Sequence, residues 1–216
     1  MRKTDELRET DELKGKNSSV RTPHWLTCTW LRTPCGKKNC PVCSVLAREQ
    51  KKLLAQGVED LDLLDALDDV RYGIAEAFLD VLHFSSIKKG IRPPRMGRSP
   101  KRFPLYQELD SWHENLHEVF DEADFQSAFW LESVDAADLD WYAHILLDYM
   151  RRFLEYGITG ESISPAKKYV RSVLRDAAKT VGEKISRLAL CDCAQKGSLM
   201  LLSGRFNEFK RRLFLL

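Results

Sequence analysis

The spacing of apolar residues predicts helices along most of the chain. Within Glu59–Phe84, apolar residues recur three, four or seven positions apart, which is the period of an amphipathic helix. Similar patterns predict further helices at Ser44–Gln56, Leu105–Ala123, Leu139–Tyr156, Pro165 to about Cys191, and Ser198–Leu216. No segment alternates between strand and helix patterns, so we do not expect a parallel sheet. The pattern therefore predicts a mainly α protein, built as a bundle of five or six helices.

Changes in composition divide the chain into three segments. Residues 1–16 are dominated by charged side chains and predict a flexible arm. Residues 17–43 contain four of the six cysteines and predict a small cysteine-rich metal module, with a short strand at His24–Arg32. Residues 44–216 form the predicted helical bundle domain, interrupted by a basic, proline-containing loop at 88–104. The 11 glycines and 8 prolines are too few for the turns of an all-β fold of 216 residues.

The N-terminus carries no apolar stretch of the kind found in secretory signals. No run of residues approaches the ~18 consecutive apolar residues that a membrane span requires. We therefore expect a cytoplasmic protein with no membrane partner. In a reducing compartment, cysteines are metal ligands or free thiols more often than disulfides.

The cysteines are clustered in the N-terminal module. Three of them fall within nine residues, Cys35-Gly-Lys-Lys-Asn-Cys40-Pro-Val-Cys43, and Cys28 lies seven residues upstream. Zinc takes four tetrahedral ligands, and cysteine spacing of this kind is typical of a zinc knuckle. The spacing therefore predicts a metal site made by Cys28, Cys35, Cys40 and Cys43. The alternatives to Cys28 as the fourth ligand are His24, Cys191 and Cys193.

An iron–sulfur cluster is the alternative cofactor. The C-x4-C-x2-C spacing with a distant fourth cysteine resembles that of plant-type ferredoxins. The resemblance ends at these nine residues, because the chain lacks the β-rich pattern of that fold. Zinc is therefore the favoured metal.

Charge is segregated along the chain although the formal net charge is only +2. Residues 88–102 contain seven Lys or Arg and no acidic residue, and Lys210–Arg212 form a further basic group. Residues 108–140 contain eleven Asp or Glu and no basic residue. Separation of this kind creates surface fields that evenly mixed charges would cancel.

The favoured interpretation is a protein that binds nucleic acid, RNA or DNA, or a subunit of a nucleoprotein complex. The predicted phosphate contacts are Lys88, Lys89, Arg92, Arg95, Arg98, Lys101, Arg102, Lys168, Arg171, Arg175 and Lys179. Such contacts position a protein on nucleic acid without reading its bases. The alternative is a protein–protein adaptor or assembly subunit with a structural zinc. A third interpretation is that the acidic and basic segments lie together and neutralise each other.

An enzymatic role is less favoured. The sequence contains no nucleophile or phosphate-loop motif of the common types. His113 and His117 lie four residues apart with Glu114 between them, so a helical-bundle metalloenzyme that also uses His144 is a further alternative. The favoured interpretation treats His113 and His117 as boundary residues and His144 as part of a solvated face.

Overall fold

The computed structural model describes residues 28–33, 35, 37, 39–58, 60–88, 99–157 and 165–215. These residues form the helices α1 (Pro41–Ala55), α2 (Asp60–Lys88), α3 (Pro104–Phe125), α4 (Val134–Gly157), α5 (Pro165–Leu188) and α6 (Lys196–Leu213). Short 3-10 helices cover Pro100–Arg102 and Phe129–Glu132. No strand occurs in the described residues, and the predicted mainly α bundle is confirmed. The predicted arm at 1–16 lies outside the described residues.

The main core lies among α3, α4, α5 and α6, and one face of α5 packs against α4 and α6. The predicted apolar face of α5 is fully buried at Val170, Val173, Ala177 and Val181. Gly182 continues this face and lies beneath the side chain of Lys210 on α6. Small side chains at these positions allow neighbouring helices to pack closely against α5.

The described part of the predicted strand, Cys28–Arg32, forms a short turn that packs on the main core instead of a strand. The first part of that prediction, His24–Thr27, lies outside the described residues. The Tyr169 hydroxyl of α5 lies 3.1 Å from the Thr29 hydroxyl and 3.1 Å from the Tyr149 hydroxyl of α4. The Trp30 ring meets the Tyr169 ring edge-on, with their centroids 5.6 Å apart. The Trp141 indole N–H donates to the Trp30 carbonyl oxygen at 2.8 Å. These contacts attach the N-terminal segment to the bundle, and side-chain packing rather than strand pairing fixes its backbone.

A second, smaller core lies beside α1 and α2. Buried Val42 and Leu46 of α1 pack there with Cys28 and Cys40. Leu67, Val70 and Ile74 of α2 cover the same cluster. The cysteine module is therefore continuous with the first two helices.

Several helix ends differ from the predicted ones for local reasons. Helix α2 extends past Phe84 to Lys88, because neither glycine nor proline occurs between Phe84 and Gly90. Helix α4 begins at Val134, before the predicted Leu139, because the Ser133 hydroxyl accepts a hydrogen bond from the Ala136 N–H at 3.1 Å.

Helix α5 ends at Leu188 instead of reaching Cys191. The N–H groups of Leu190 and Cys191 bond to carbonyl oxygens three residues earlier, which turns the chain toward α6. Buried Gln195 then accepts a hydrogen bond from the Trp130 indole at 3.1 Å and donates one to the Gln126 side chain at 2.7 Å. This amide ties the α5–α6 loop to the α3–α4 loop.

Among the helices of the described residues, none combines the length and the apolar character needed to cross a bilayer.

Candidate metal centre and basic surface

The four predicted cysteine ligands converge in the structure. The sulfur atoms of Cys28, Cys35, Cys40 and Cys43 all lie within 4.8 Å of one another, and we refer to these residues as the cysteine cluster. The Cys35 and Cys43 sulfurs are 3.7 Å apart. Four tetrahedral bonds of about 2.3 Å, the usual Zn–S length, place sulfurs about 3.8 Å apart. This group of cysteines can therefore bind a single metal ion.

Local backbone structure brings the cysteines together. The Cys40 N–H donates to the Lys37 carbonyl oxygen at 3.2 Å and closes a turn between Cys35 and Cys40. Pro41 follows in the first turn of α1, where its fixed φ angle and missing N–H suit a helix start. Because α1 begins at Pro41 rather than at the predicted Ser44, Cys43 lies in that first turn. A tight turn and a helix start thus supply three of the ligands, and Cys28 comes from the segment that packs on the bundle.

The environment of the sulfurs is mostly apolar. Cys28 and Cys40 are buried, and burial raises the pKa of the Cys28 thiol and that of the Cys43 thiol. Cys35 differs, because a hydrogen bond from the Lys37 backbone N–H lowers the pKa of its thiol to about 7. Cys35 and Cys43 are half-buried. Four cysteine ligands, which leave no open position, are typical of structural metal sites, whereas catalytic sites keep one position open.

Two of the alternative ligands lie elsewhere in the fold. Cys191 is exposed after the end of α5, and Cys193 packs against the main core. Neither belongs to the cysteine cluster, whereas Cys28 does. The remaining alternative, His24, lies outside the described residues.

The predicted basic residues of α5 share one outer face of the helix, and we refer to Lys168, Arg171, Arg175 and Lys179 as the basic stripe. Lys210 of α6 joins this face, since it lines a shallow groove of about 420 Å³ together with Arg175, Lys179, Asp176 and Phe214. Within the described part of the chain, Lys168, Arg171 and Arg175 have no acidic side chain at ion-pair distance. Lys179 lies 4.0 Å from Glu183.

The predicted basic loop is only partly described. Lys88 is the last residue of α2, and the side chains of Lys101 and Arg102 are exposed in the 3-10 helix that packs against α3 and α4. The other predicted contacts of this loop, Lys89, Arg92, Arg95 and Arg98, lie outside the described residues. The basic stripe is therefore the part of the predicted basic surface that the structure describes most fully.

Some basic side chains are neutralised by the acidic segment. The Lys184 ammonium lies 2.6 Å from Asp135 and 2.7 Å from Asp138, and Arg32 donates to Asp138 at 2.5 Å. Burial alone would raise the pKa of Asp138, but the hydrogen bonds from Lys184 and Arg32 outweigh it and keep the pKa below its usual value. Neutralisation by the acidic segment therefore accounts for these cations but not for Lys168, Arg171 and Arg175 of the basic stripe.

The structure also brings together three histidines, which the favoured interpretation of the sequence places on different surfaces and the metalloenzyme alternative places together. One ring nitrogen from each of His113, His117 and His144 lies within 4.8 Å of the other two. The sequence signal for this group is a repeated spacing of four residues, His113 with His117 on α3 and Asp140 with His144 on α4. That spacing places each pair on one face of its helix.

Comparisons of the chain with protein-family models, with curated proteins and with solved structures gave no match. The functional interpretation therefore depends on the chemistry of the residues described above.

Proposed function

We propose that this protein is a zinc-binding helical protein that contacts nucleic-acid phosphates through the basic stripe. The observation that carries the zinc assignment is the convergence of four cysteine sulfurs within 4.8 Å of one another. The zinc has a structural role, because it joins the segment at Cys28 to the turn before α1. A core as small as the one beside α1 gains much of its stability from such an ion.

The spacing of the sulfurs favours zinc over an iron–sulfur cluster. The 3.7 Å between the Cys35 and Cys43 sulfurs fits two thiolates on one tetrahedral ion. An iron–sulfur cluster attaches its cysteines to different iron atoms, so ligands on different irons lie farther apart than they do around one ion. A set of four sulfurs that all lie within 4.8 Å of one another suits the single ion better.

Elemental analysis and a visible spectrum of the purified full chain test the metal assignment. We expect a colourless solution that contains one or more zinc ions per chain. A brown solution that contains iron and inorganic sulfide would contradict the zinc proposal. A chain purified under reducing conditions that holds no metal, and binds none when Zn²⁺ is added, would contradict it as well.

The phosphate-binding proposal is supported by the contrast between paired and unpaired cations. Lys184 and Arg32 are held by carboxylates of α4, whereas Lys168 and Arg175 are exposed and have no such partner among the described residues. Unpaired cations in a row along one helix can each neutralise a phosphate and release its counterions. Lys210 widens this row from a second helix.

Removing two charges from the basic stripe should lower the affinity for nucleic acid and make that affinity less sensitive to salt concentration. Each neutralised phosphate contributes about 0.7–0.9 to the slope of log K against log salt concentration. The double variant Lys168→Gln/Arg175→Gln should therefore reduce the magnitude of that slope by about 1.4–1.8. The measurement is fluorescence anisotropy with labelled mixed-sequence oligonucleotides, both RNA and DNA, at several salt concentrations.

The matched control is Arg48→Gln/Lys51→Gln on α1, which removes the same charge from exposed positions of a helix that packs on α2. This control should leave the slope nearly unchanged. If the wild-type chain shows no salt-dependent binding, or if both double variants lose affinity equally, the basic stripe is not a phosphate-binding surface.

A role in protein assembly is the second candidate, and exposed apolar side chains favour it. Phe125 is 91% exposed, Phe129 is 88% exposed and Leu190 is 81% exposed. All three lie near the loops that Gln195 ties together, at one end of the bundle. Large exposed aromatic residues are typical of surfaces that bind another protein. Failure of the oligonucleotide experiment would leave assembly as the better-supported role.

A further inference from the structure

The residues His113, His117 and His144, which we refer to as the histidine cluster, form a compact group on α3 and α4. The Nε2 atoms of His113 and His117 are 3.3 Å apart. The His144 ring lies 4.6 Å from the His113 ring and 5.0 Å from the His117 ring, measured between centroids. Three imidazoles therefore surround one point between the two helices. None of these residues belongs to the cysteine cluster.

The distances agree with those around a metal ion. Zn–N bonds of about 2.0–2.1 Å in a tetrahedral arrangement place two nitrogens about 3.3–3.4 Å apart. The His113 and His117 nitrogens already have that separation, at 3.3 Å. A hydrogen bond between His113 and His117 would explain this pair alone, but it gives no reason for a third imidazole at the same point.

Asp140 provides the supporting contacts that metal-binding histidines usually have. The His144 Nδ1 lies 3.1 Å from the Asp140 carbonyl oxygen, which can only accept, so Nδ1–H is the donor. In neutral His144 the lone pair is then on Nε2, the tautomer that binds a metal through that atom. The Asp140 carboxylate lies 3.7 Å from His144 Nδ1 and 3.9 Å from His117 Nε2, and its negative charge attracts a cation.

The histidine cluster is accessible from solvent. Burial, with smaller effects of the neighbouring His144 and His117, lowers the pKa of His113 to about 4. The His117 side chain is 37% exposed and the His144 side chain 56% exposed, so an ion can enter from the surface.

We propose that the histidine cluster is a second metal site, which binds a borderline divalent ion such as Zn²⁺ through one ring nitrogen of each histidine. Imidazole is the ligand type that zinc, copper and nickel share. Three protein ligands leave a fourth position for water or another exchangeable ligand. This site is open to solvent and exchanges its ion, whereas the ion of the cysteine cluster is enclosed.

The experiment is a titration of the full-length chain with Zn²⁺ in competition with a coloured chelator. The wild type should bind about two ions, with the weaker one at the histidine cluster. His117→Gln and His144→Gln should each lose the weaker ion and retain the tighter one. Asp140→Asn should keep the weaker ion with about 10-fold lower affinity, because it removes a negative charge beside the site. The backbone carbonyl that accepts from His144 stays in place in this variant.

Two controls separate this site from the cysteine cluster. Glu122→Gln introduces the same glutamine at an exposed position of α3, five residues beyond His117, and should bind zinc as the wild type does. Cys40→Ser should lose the tighter ion. Retention of the weaker ion by this variant would show that the two sites bind zinc independently. Circular dichroism should give the wild-type helical signal for the histidine variants, because both histidines are partly exposed.

The proposal is overturned if His117→Gln and His144→Gln bind as much zinc as the wild type. It is also overturned if every bound ion is lost in Cys40→Ser. A second readout is the NMR spectrum of the ¹⁵N-labelled histidine rings. Added Zn²⁺ should shift the ring nitrogens of His113, His117 and His144 together, and unshifted rings would contradict the proposal.

Discussion

Replacing Cys40 with serine should release the zinc ion and unfold the small core beside α1. Cys40 is fully buried in that core and is one of its four close sulfurs. A structural zinc contributes apparent free energies of about 10–16 kcal/mol in small zinc-binding peptides, and a serine hydroxyl cannot replace the thiolate. Zinc content and hydrogen exchange of the α1 amide groups measure the effect. We expect rapid exchange in α1 and continued protection in α4 and α5.

The control is Cys191→Ser, which makes the same chemical change at an exposed cysteine outside the cysteine cluster. It should keep the zinc content and the exchange pattern of the wild type. Retention of zinc by Cys40→Ser, or an equal loss in both variants, would show that the cysteine cluster does not hold the ion.

Replacing Arg152 with alanine should lower the free energy of unfolding by about 3–5 kcal/mol, the range for breaking a buried ion pair. The Arg152 side chain is only 5% exposed, and its Nε lies 2.6 Å from Asp148. Its guanidinium also pairs with Glu76 of α2 and lies 5.3 Å from the centre of the Tyr149 ring. The substitution therefore removes the contacts of one buried cation with α2 and α4. Asp148 loses its buried partner and keeps only the more exposed Arg151 as an ion-pair partner.

Arg151 provides a matched comparison on the next residue of α4. It also pairs with Asp148, at 2.7 Å, but its side chain is 50% exposed. Exposed ion pairs contribute about 0–1 kcal/mol, so Arg151→Ala should have a much smaller effect. Urea denaturation of both variants measures the difference. Equal midpoints would show that burial of Arg152 does not determine its contribution.

The helices of this protein could be predicted because the spacing of apolar residues along the sequence reveals the buried face of each helix. The face of α5 at Val170, Val173 and Val181 is a case in which residue spacing alone identifies the buried side. Helix ends are less predictable, because they depend on single contacts. The Ser133 hydroxyl starts α4, and the turn that leads to Gln195 ends α5.

The two candidate metal sites differ in how far the sequence alone predicts them. Cys35, Cys40 and Cys43 are close along the chain, so a tight turn brings their sulfurs together. The approach of His144 to His117 instead depends on how α3 and α4 are rotated against each other. Local periodicity does not determine that rotation, which is set by packing of the whole bundle.

The placement of Tyr169 has a consequence for how distant parts of the molecule influence one another. Its hydroxyl contacts Thr29, the residue after Cys28 of the cysteine cluster, while Lys168 of the basic stripe is its neighbour on α5. We therefore expect ordering at Thr29 to favour ordering of the first turns of α5. Coupling of this kind is reciprocal: a ligand that orders the segment at Thr29 stabilises the start of α5, and a ligand that orders the start of α5 stabilises that segment by the same free energy.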